Sequence, residues 1–176
     1  LSLMVVRTVL TWPEKKLRNI SSAITDFDEA KSIAGDLRDT LIASFGLGIA
    51  ASQVGIHKRI VVVKSEELSC SEEDPDLPGY KVFVNPTLTV SPESRRVNSQ
   101  EACLSIPGVA AQVQRDSCVS INYQNLNGES FQELVSNRDA CILQHEFDHL
   151  DGKLFIDRLS QIRKKMVVSK LRKRML

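Results

Sequence analysis

An α+β domain is the fold class that the sequence predicts, on three observations. One amphipathic helix lies near the N-terminus, two helical patterns close the chain, and the β-branched and alternating segments all fall between them. Segregating helices from strands in this way favours α+β over a doubly wound sheet. At 176 residues, with 42% hydrophobic and 26% charged residues, the chain has the size and composition of one globular domain, residues 1–176. A domain of this size buries roughly 70% of the surface its unfolded chain exposes, so it folds without a disulfide framework or a structural metal. Any metal site must therefore be justified by chemistry.

The elements follow in order. Between Thr25 and Phe45 the apolar residues Phe27, Ala30, Ala34, Leu37, Leu41 and Phe45 recur at helical steps, with Thr25 and Asp28 placed like a capping box. Arg59–Lys64 and Lys81–Val90 are short and β-branched. They flank a 65–79 segment with six acids, three serines and two prolines, which reads as a solvated loop between strands. Cys118–Gln124 and Glu129–Val135 bracket Leu126-Asn127-Gly128, a hairpin with an expected type I′ turn. Ser136 or Asn137 then caps a helix from Arg138 to about Leu150, which Gly152 ends. A last helix runs from Leu159 almost to the end, with Leu159, Ile162, Met166, Val167, Leu171 and Met175 as its apolar side.

Charge is segregated. The formal net charge is +1, yet residues 159–176 hold seven Lys or Arg and no acid, so the rest of the chain is net negative. No apolar run approaches the roughly 20 residues of a membrane helix, and no signal segment opens the chain, so a cytoplasmic protein is expected. Leu1 is compatible with a trimmed start, a start at Met4 or a removed organellar leader. The four cysteines, Cys70, Cys103, Cys118 and Cys141, show no close CxxC pairing and are expected to be reduced thiols.

His145-Glu146-Phe147-Asp148-His149 is an HExxH pattern on the predicted helix. Residues four apart lie about 6 Å apart along the axis on one face, so both imidazoles can converge on one ion while Glu146 serves as a base. On its own the pattern also fits a chance pair on a surface helix, and a hydrolytic site needs a third ligand. Position 155 is Phe155, no Glu follows Glu146, and His57 sits in a turn where it is expected to face water. Cys141 shares the histidine face but would lie about 12 Å from His149, too far for one ion. Of the upstream cysteines, Cys70 lies in the acidic loop and Cys118 begins a strand. Cys103, in Glu101-Ala102-Cys103-Leu104-Ser105 between strands, is the best third ligand. Gly46-Leu47-Gly48-Ile49-Ala50-Ala51-Ser52-Gln53 superficially matches a dinucleotide fingerprint but follows a helix instead of a strand. Its glycines suit either a helix terminus or close approach of backbone to a ligand, with Gln53 as an amide donor.

GLGIAASQ, EACLS and QHEFDH, in this order, resemble the three signature motifs of peptide deformylases, and TWPEKKLR, VGIHKRI and DGKLFIDRLS extend the resemblance over nearly the whole chain. The resemblance implies antiparallel or mixed sheets packed around a central metal-binding helix, with N-terminal and C-terminal helices. It implies a metal-dependent hydrolase that removes the formyl group from N-formyl-methionyl peptides and releases formate. Cys103, His145 and His149 would bind a divalent ion with water at its fourth position. Glu146 would move the proton, and the Gln53 amide and Leu104 N–H would hold the oxyanion. Gly48 would lie beside the substrate, with Leu47 and Cys141 near its methionine side chain.

A thiolate and two imidazoles alone would suggest zinc, whereas the family implies Fe²⁺, with Zn²⁺, Ni²⁺ or Co²⁺ able to substitute. The basic C-terminal helix implies a contact with the ribosome; simple capping of the fold is the equal alternative. Two positions depart from the family. Ala102 stands where glycine is usual, raising the expectation of a strained positive-φ backbone or a crowded peptide site. Arg138 and Asp139 begin the metal helix where apolar residues are common, and are expected to reshape the pocket rim. Two other readings compete: a peptidase cleaving internal amide bonds, and a catalytically altered relative binding nascent chains or ribosomes.

Overall fold

A computed structural model describes residues 3–69 and 74–176; Cys70 lies outside the described residues. Helix α1 (Phe27–Ser44) is followed by strands β1 (Gly48–Ala50), β2 (Ile60–Lys64), β3 (Tyr80–Val90), β4 (Arg96–Cys103), β5 (Ile106–Asp116), β6 (Cys118–Gln124) and β7 (Ser130–Ser136), then helices α2 (Asn137–Leu150) and α3 (Gln161–Arg174). One antiparallel sheet has the order β1-β2-β3-β6-β7, and β4 and β5 form a separate antiparallel hairpin. The α+β expectation holds, with α1 and α2 on opposite faces of the larger sheet.

The alternation of β2 shows why. Ile60 and Val62 pack with Ala30, Ile33, Ala34, Leu37 and Leu41 of α1. Val61 and Val63 pack with Ala140, Leu143, Phe147 and Leu150 of α2. Successive strand side chains point to opposite faces, so a strand covered on both sides reads as one continuous apolar run. A third cluster joins Ile106, Val109, Ala111 and Val113 of β5 to Leu154, Phe155, Ile156, Leu159 and Leu171. It fastens the β4–β5 hairpin to the C-terminal part of the chain.

Several local expectations change. Asp26, not Thr25, caps α1, accepting from the N–H groups of Asp28 and Glu29. Phe45 leaves the apolar stripe of α1, is 87% exposed and has a left-handed backbone. Among the described residues of the 65–79 segment, Leu68, Asp74 and Leu77 are buried, so these parts are less solvated than a polar loop would be. Asn85 and Pro86 mark a register shift in β3, where Asn85 takes φ 50° and exchanges hydrogen bonds with the backbone of Ile24. A bulge accommodates a proline that a regular central strand would reject.

The β6–β7 turn is not type I′. Gly128 has φ 78°, Asn127 is not among the positive-φ residues, and Gly128 N–H donates to the Asn125 carbonyl while Asn125 N–H pairs with Glu129. This is a three-residue loop ending in a left-handed glycine.

Ser136 precedes α2 without a side-chain cap bond, and Gly152, φ 69°, ends the helix with its N–H on the His149 carbonyl. In α3 the apolar side narrows. Leu171 is buried and Val167 and Val168 are partly covered, but Ile162, Met166 and Met175 are exposed. The helix meets the body along one stripe, too narrow to cover all six expected residues. Among the described residues, no helix is long and apolar enough to cross a membrane.

Candidate metal centre

The two long-range elements of the site are the end of β4, which carries Cys103, and the interior helix α2, which carries His145 and His149. Their ligand atoms all lie within 4.8 Å of one another, and Cys103 Sγ is 3.4 Å from His149 Nε2. A soft thiolate and two imidazoles, brought together from distant parts of the chain, suit a tetrahedral divalent ion with one position left for solvent or substrate. Cys141 is not part of this group. Cys103, Cys118 and Cys141 are all free thiols.

The three side chains and their elements are fixed by further hydrogen bonds of the fold. Ser52 Oγ donates to the His149 carbonyl at 3.0 Å, and His145 Nδ1 lies 2.7 Å from Glu101 Oε2, leaving the other ring nitrogen for a metal. Arg115, 1% exposed, donates from Nε and Nη2 to the two oxygens of Glu101 and from Nη1 to Asp148. Arg158 closes the other side of Asp148 through Nε and Nη2. Burial raises the Glu101 pKa, but the Arg115 and His145 bonds outweigh it and hold the group down to about 2. Burial would lower His145, yet its bonds to Cys103 and Glu101 push it well up. Burial pushes His149 well down, and the neighbouring His145 and Arg115 charges act in the same direction.

Glu146 faces the same space. Burial pushes its carboxyl up to about 7, and Oε2 has no hydrogen-bond partner in the structure. An unpaired buried oxygen is costly unless a missing group satisfies it. A Cβ at Gly48 would come within 2.9 Å of Glu146 Oε1, so only glycine lets β1 pass this close to the carboxylate. Gln53 is fixed at both ends of its amide. Oε1 accepts from Ala50 N–H at 2.9 Å, while Nε2 lies 3.1 Å from Ser105 Oγ and 3.5 Å from Cys103 Sγ.

A cleft of about 590 Å³ opens over these groups, and Leu47, Gly48, Gln53, Cys103, Leu104, Cys141, His145 and Glu146 all line it. His149 lies beneath, 2% exposed. Leu104 occupies the turn between β4 and β5. Burial raises the Cys141 thiol pKa, marking it as a neutral wall residue.

Ala102 also lines the cleft, but it is not among the positive-φ residues and pairs with Ala110 across the hairpin. The expected backbone strain is absent, and crowding of the cleft is the expectation that remains. Arg138 lines the rim with its guanidinium tied to Glu67, whereas Asp139 is buried and accepts from Ser69 N–H. His57 is half-buried rather than turned to water; its Nε2 lies 3.2 Å from Asn19.

Arg115, Asp148, Arg158 and the supporting role of Glu101 escaped the sequence reading. The signal available was period two in Val109, Ala111, Val113 and Arg115, which places Arg115 on the inward face of β5.

The model of the polypeptide deformylase family matches residues 6–165. The chain belongs to the peptide deformylase family. Curated peptide deformylases from Bartonella bacilliformis and Desulfotalea psychrophila are 38% and 36% identical to it, each over 97% of this chain and 94% and 97% of their own. The peptide deformylase of Ehrlichia chaffeensis, solved in complex with actinonin, is 33% identical with a TM-score of 0.83, covering 97% of this chain and 98% of that one. That of Acinetobacter baumannii, solved with Met-Ala-Ser bound, is 32% identical with a TM-score of 0.76, covering 89% and 100%. Membership of the deformylase family and the Cys103, His145, His149 group together support a divalent metal at this centre.

Proposed function

We propose that this enzyme removes the formyl group from the N-terminal formyl-methionine of nascent polypeptides, releasing formate, with Cys103, His145 and His149 as metal ligands. The observation that carries the reading is the convergence of these three donors beside the unpaired carboxylate oxygen of Glu146. A divalent ion held there supplies Lewis acidity, polarising the formyl carbonyl and lowering the pKa of water. Glu146 takes the proton of the attacking water and delivers it to the departing amine, which must leave protonated. The Gln53 amide and the Leu104 N–H are the donors for the developing oxyanion; one such donor is typically worth about 3 kcal/mol.

The substrate lies along β1, an edge strand with its second side unpaired in the sheet, where Gly48 lets the peptide backbone approach. Leu47 and Cys141 line the pocket for the methionine side chain. Fe²⁺ is the ion proposed; the same donors accept Zn²⁺, Ni²⁺ or Co²⁺. The site of action is the bacterial cytoplasm, beside the ribosome, which the exposed cations of α3 would contact through RNA phosphates.

Formate release from formyl-Met-Ala-Ser tests the reading, with metal content measured in parallel. One equivalent of divalent metal is expected, lost together with turnover in Cys103→Ala. Glu146→Gln should keep the metal but lose about 100- to 10,000-fold in turnover. Internal cleavage of the peptide would instead indicate a peptidase, and neither product a non-catalytic relative. For the ribosome contact, substituting Lys165, Lys170, Arg172 and Lys173 by Gln should weaken binding and its salt dependence without uncovering Leu171.

A further inference from the structure

Phe45 breaks two rules at once. It closes α1 with φ 57° and ψ 25°, the position that glycine usually fills after a helix. Among the described residues, the other non-glycine positive φ values belong to Asn85 and Asn137, a residue type that tolerates this conformation; a bulky aromatic does not. A glycine stands one position later, but it serves another purpose. A Cβ on Gly46 would fall 2.8 Å from Leu104 Cδ1 and 2.9 Å from Leu41 Cδ2, so that glycine is needed for packing.

Nor does the ring gain burial in exchange for the strain. Phe45 is 87% exposed, the most exposed aromatic side chain among the described residues, and belongs to none of the three apolar clusters. It nevertheless lines the cleft, as does Leu47, itself 46% exposed. From Gly48 beside Glu146, the chain runs outward through Leu47 to Phe45, from the reaction centre to the mouth. Backbone strain retained at the rim of a site, without compensation in the core, marks a side chain held for a ligand.

We propose that Phe45 is a specificity-determining residue whose ring forms an apolar platform for the second residue of the substrate, favouring peptides with an apolar side chain after formyl-Met. This inference rests on the deformylase reading. An extended peptide advances about 3.3 Å per residue, so the residue after methionine moves outward along the wall that ends in Phe45. Ring contact there removes apolar surface from water without requiring a closed pocket.

The test compares Phe45→Gly with wild type on formyl-Met-Leu-Ser, formyl-Met-Ser-Ser and formyl-Met-Asp-Ser, alongside thermal unfolding of the metal-loaded enzyme. Phe45→Gly should raise KM for the Leu peptide roughly five- to tenfold. KM for the Ser and Asp peptides and kcat for all three should stay within about twofold. The same variant should unfold a few degrees higher, because glycine relieves the strain. A purely structural aromatic would give the opposite sign, a lower unfolding temperature with unchanged peptide selectivity. Phe45→Asn, which retains a residue tolerant of this backbone but removes the ring, should show the same loss of selectivity. Unchanged selectivity in both variants, or a lower unfolding temperature in Phe45→Gly, would overturn the proposal. Absence of formate from every peptide with wild-type enzyme would instead overturn the deformylase reading.

Discussion

Helices α2 and α3 are both fourteen residues long, yet they do opposite work. On α2, ten residues are buried, including Asp139, Gln144, Glu146, Asp148 and His149, because the sheet covers one side and the β4–β5 hairpin covers the other, with Asp116 and Arg115 of β5 bonding Gln144 and Asp148. On α3 only Leu171 is buried; Lys164 bonds Asp157 and Arg174 the Gly108 carbonyl, while the other cations are exposed. The difference teaches that polarity of sequence does not locate a helix. A polar helix belongs inside when its charges meet partners of matching geometry, and outside when they do not.

The largest break in this comparison should come from Arg115. Replacing it by Met leaves Glu101 and Asp148 buried without their shared cation, at a cost of about 3–5 kcal/mol. Chemical denaturation would measure it, and metal affinity should fall with it, since His145 loses the partner of its own partner. On α3, Leu171→Ala should cost about 2–3 kcal/mol, whereas Met166→Ala, on an exposed face of the same helix, should stay within about 0.5 kcal/mol. Equal effects in the two variants would show that the whole apolar pattern of α3 is engaged.

A smaller effect joins α3 to the body. Burial raises the Asp157 pKa, but hydrogen bonds from Arg18, Leu154 N–H and Lys164 outweigh it and lower the group overall. A depressed carboxylate stabilises the fold above the ordinary Asp value near 4 and loses that contribution as pH falls through its folded-state pKa. Wild type should therefore lose unfolding temperature more steeply than Asp157→Asn between about pH 5 and pH 2. The least change is expected from Ala102→Gly, which removes a methyl from the cleft lining without altering a strained backbone. It should preserve bound metal and give equal or slightly better turnover on formyl-Met peptides. A large loss would show that the methyl contacts substrate productively.

Much of this was legible in the sequence for identifiable reasons. The HExxH spacing puts two imidazoles on one helical face whatever surrounds them, and β2 reads as buried because every residue of Ile60–Val63 is apolar. The β4–β5 hairpin was harder. β4 alternates exposed and half-buried positions, and its turn, Leu104-Ser105, has no Gly, Pro or Asn to announce it. Arg115 and Asp148 look like surface charges until the fold pairs them. Phe45 fits the helical apolar period, but its left-handed backbone rotates it away from the core. Periodicity extrapolates a regular backbone, and so fails at the residue where the backbone stops being regular.

The guanidinium of Arg115 latches the strand pair that contributes the sulfur to the helix that contributes the rings. With this latch in place, cation capture should have little conformational entropy left to overcome. Stripping the ion from such a centre should silence the catalyst while leaving its architecture standing, ready to be reloaded.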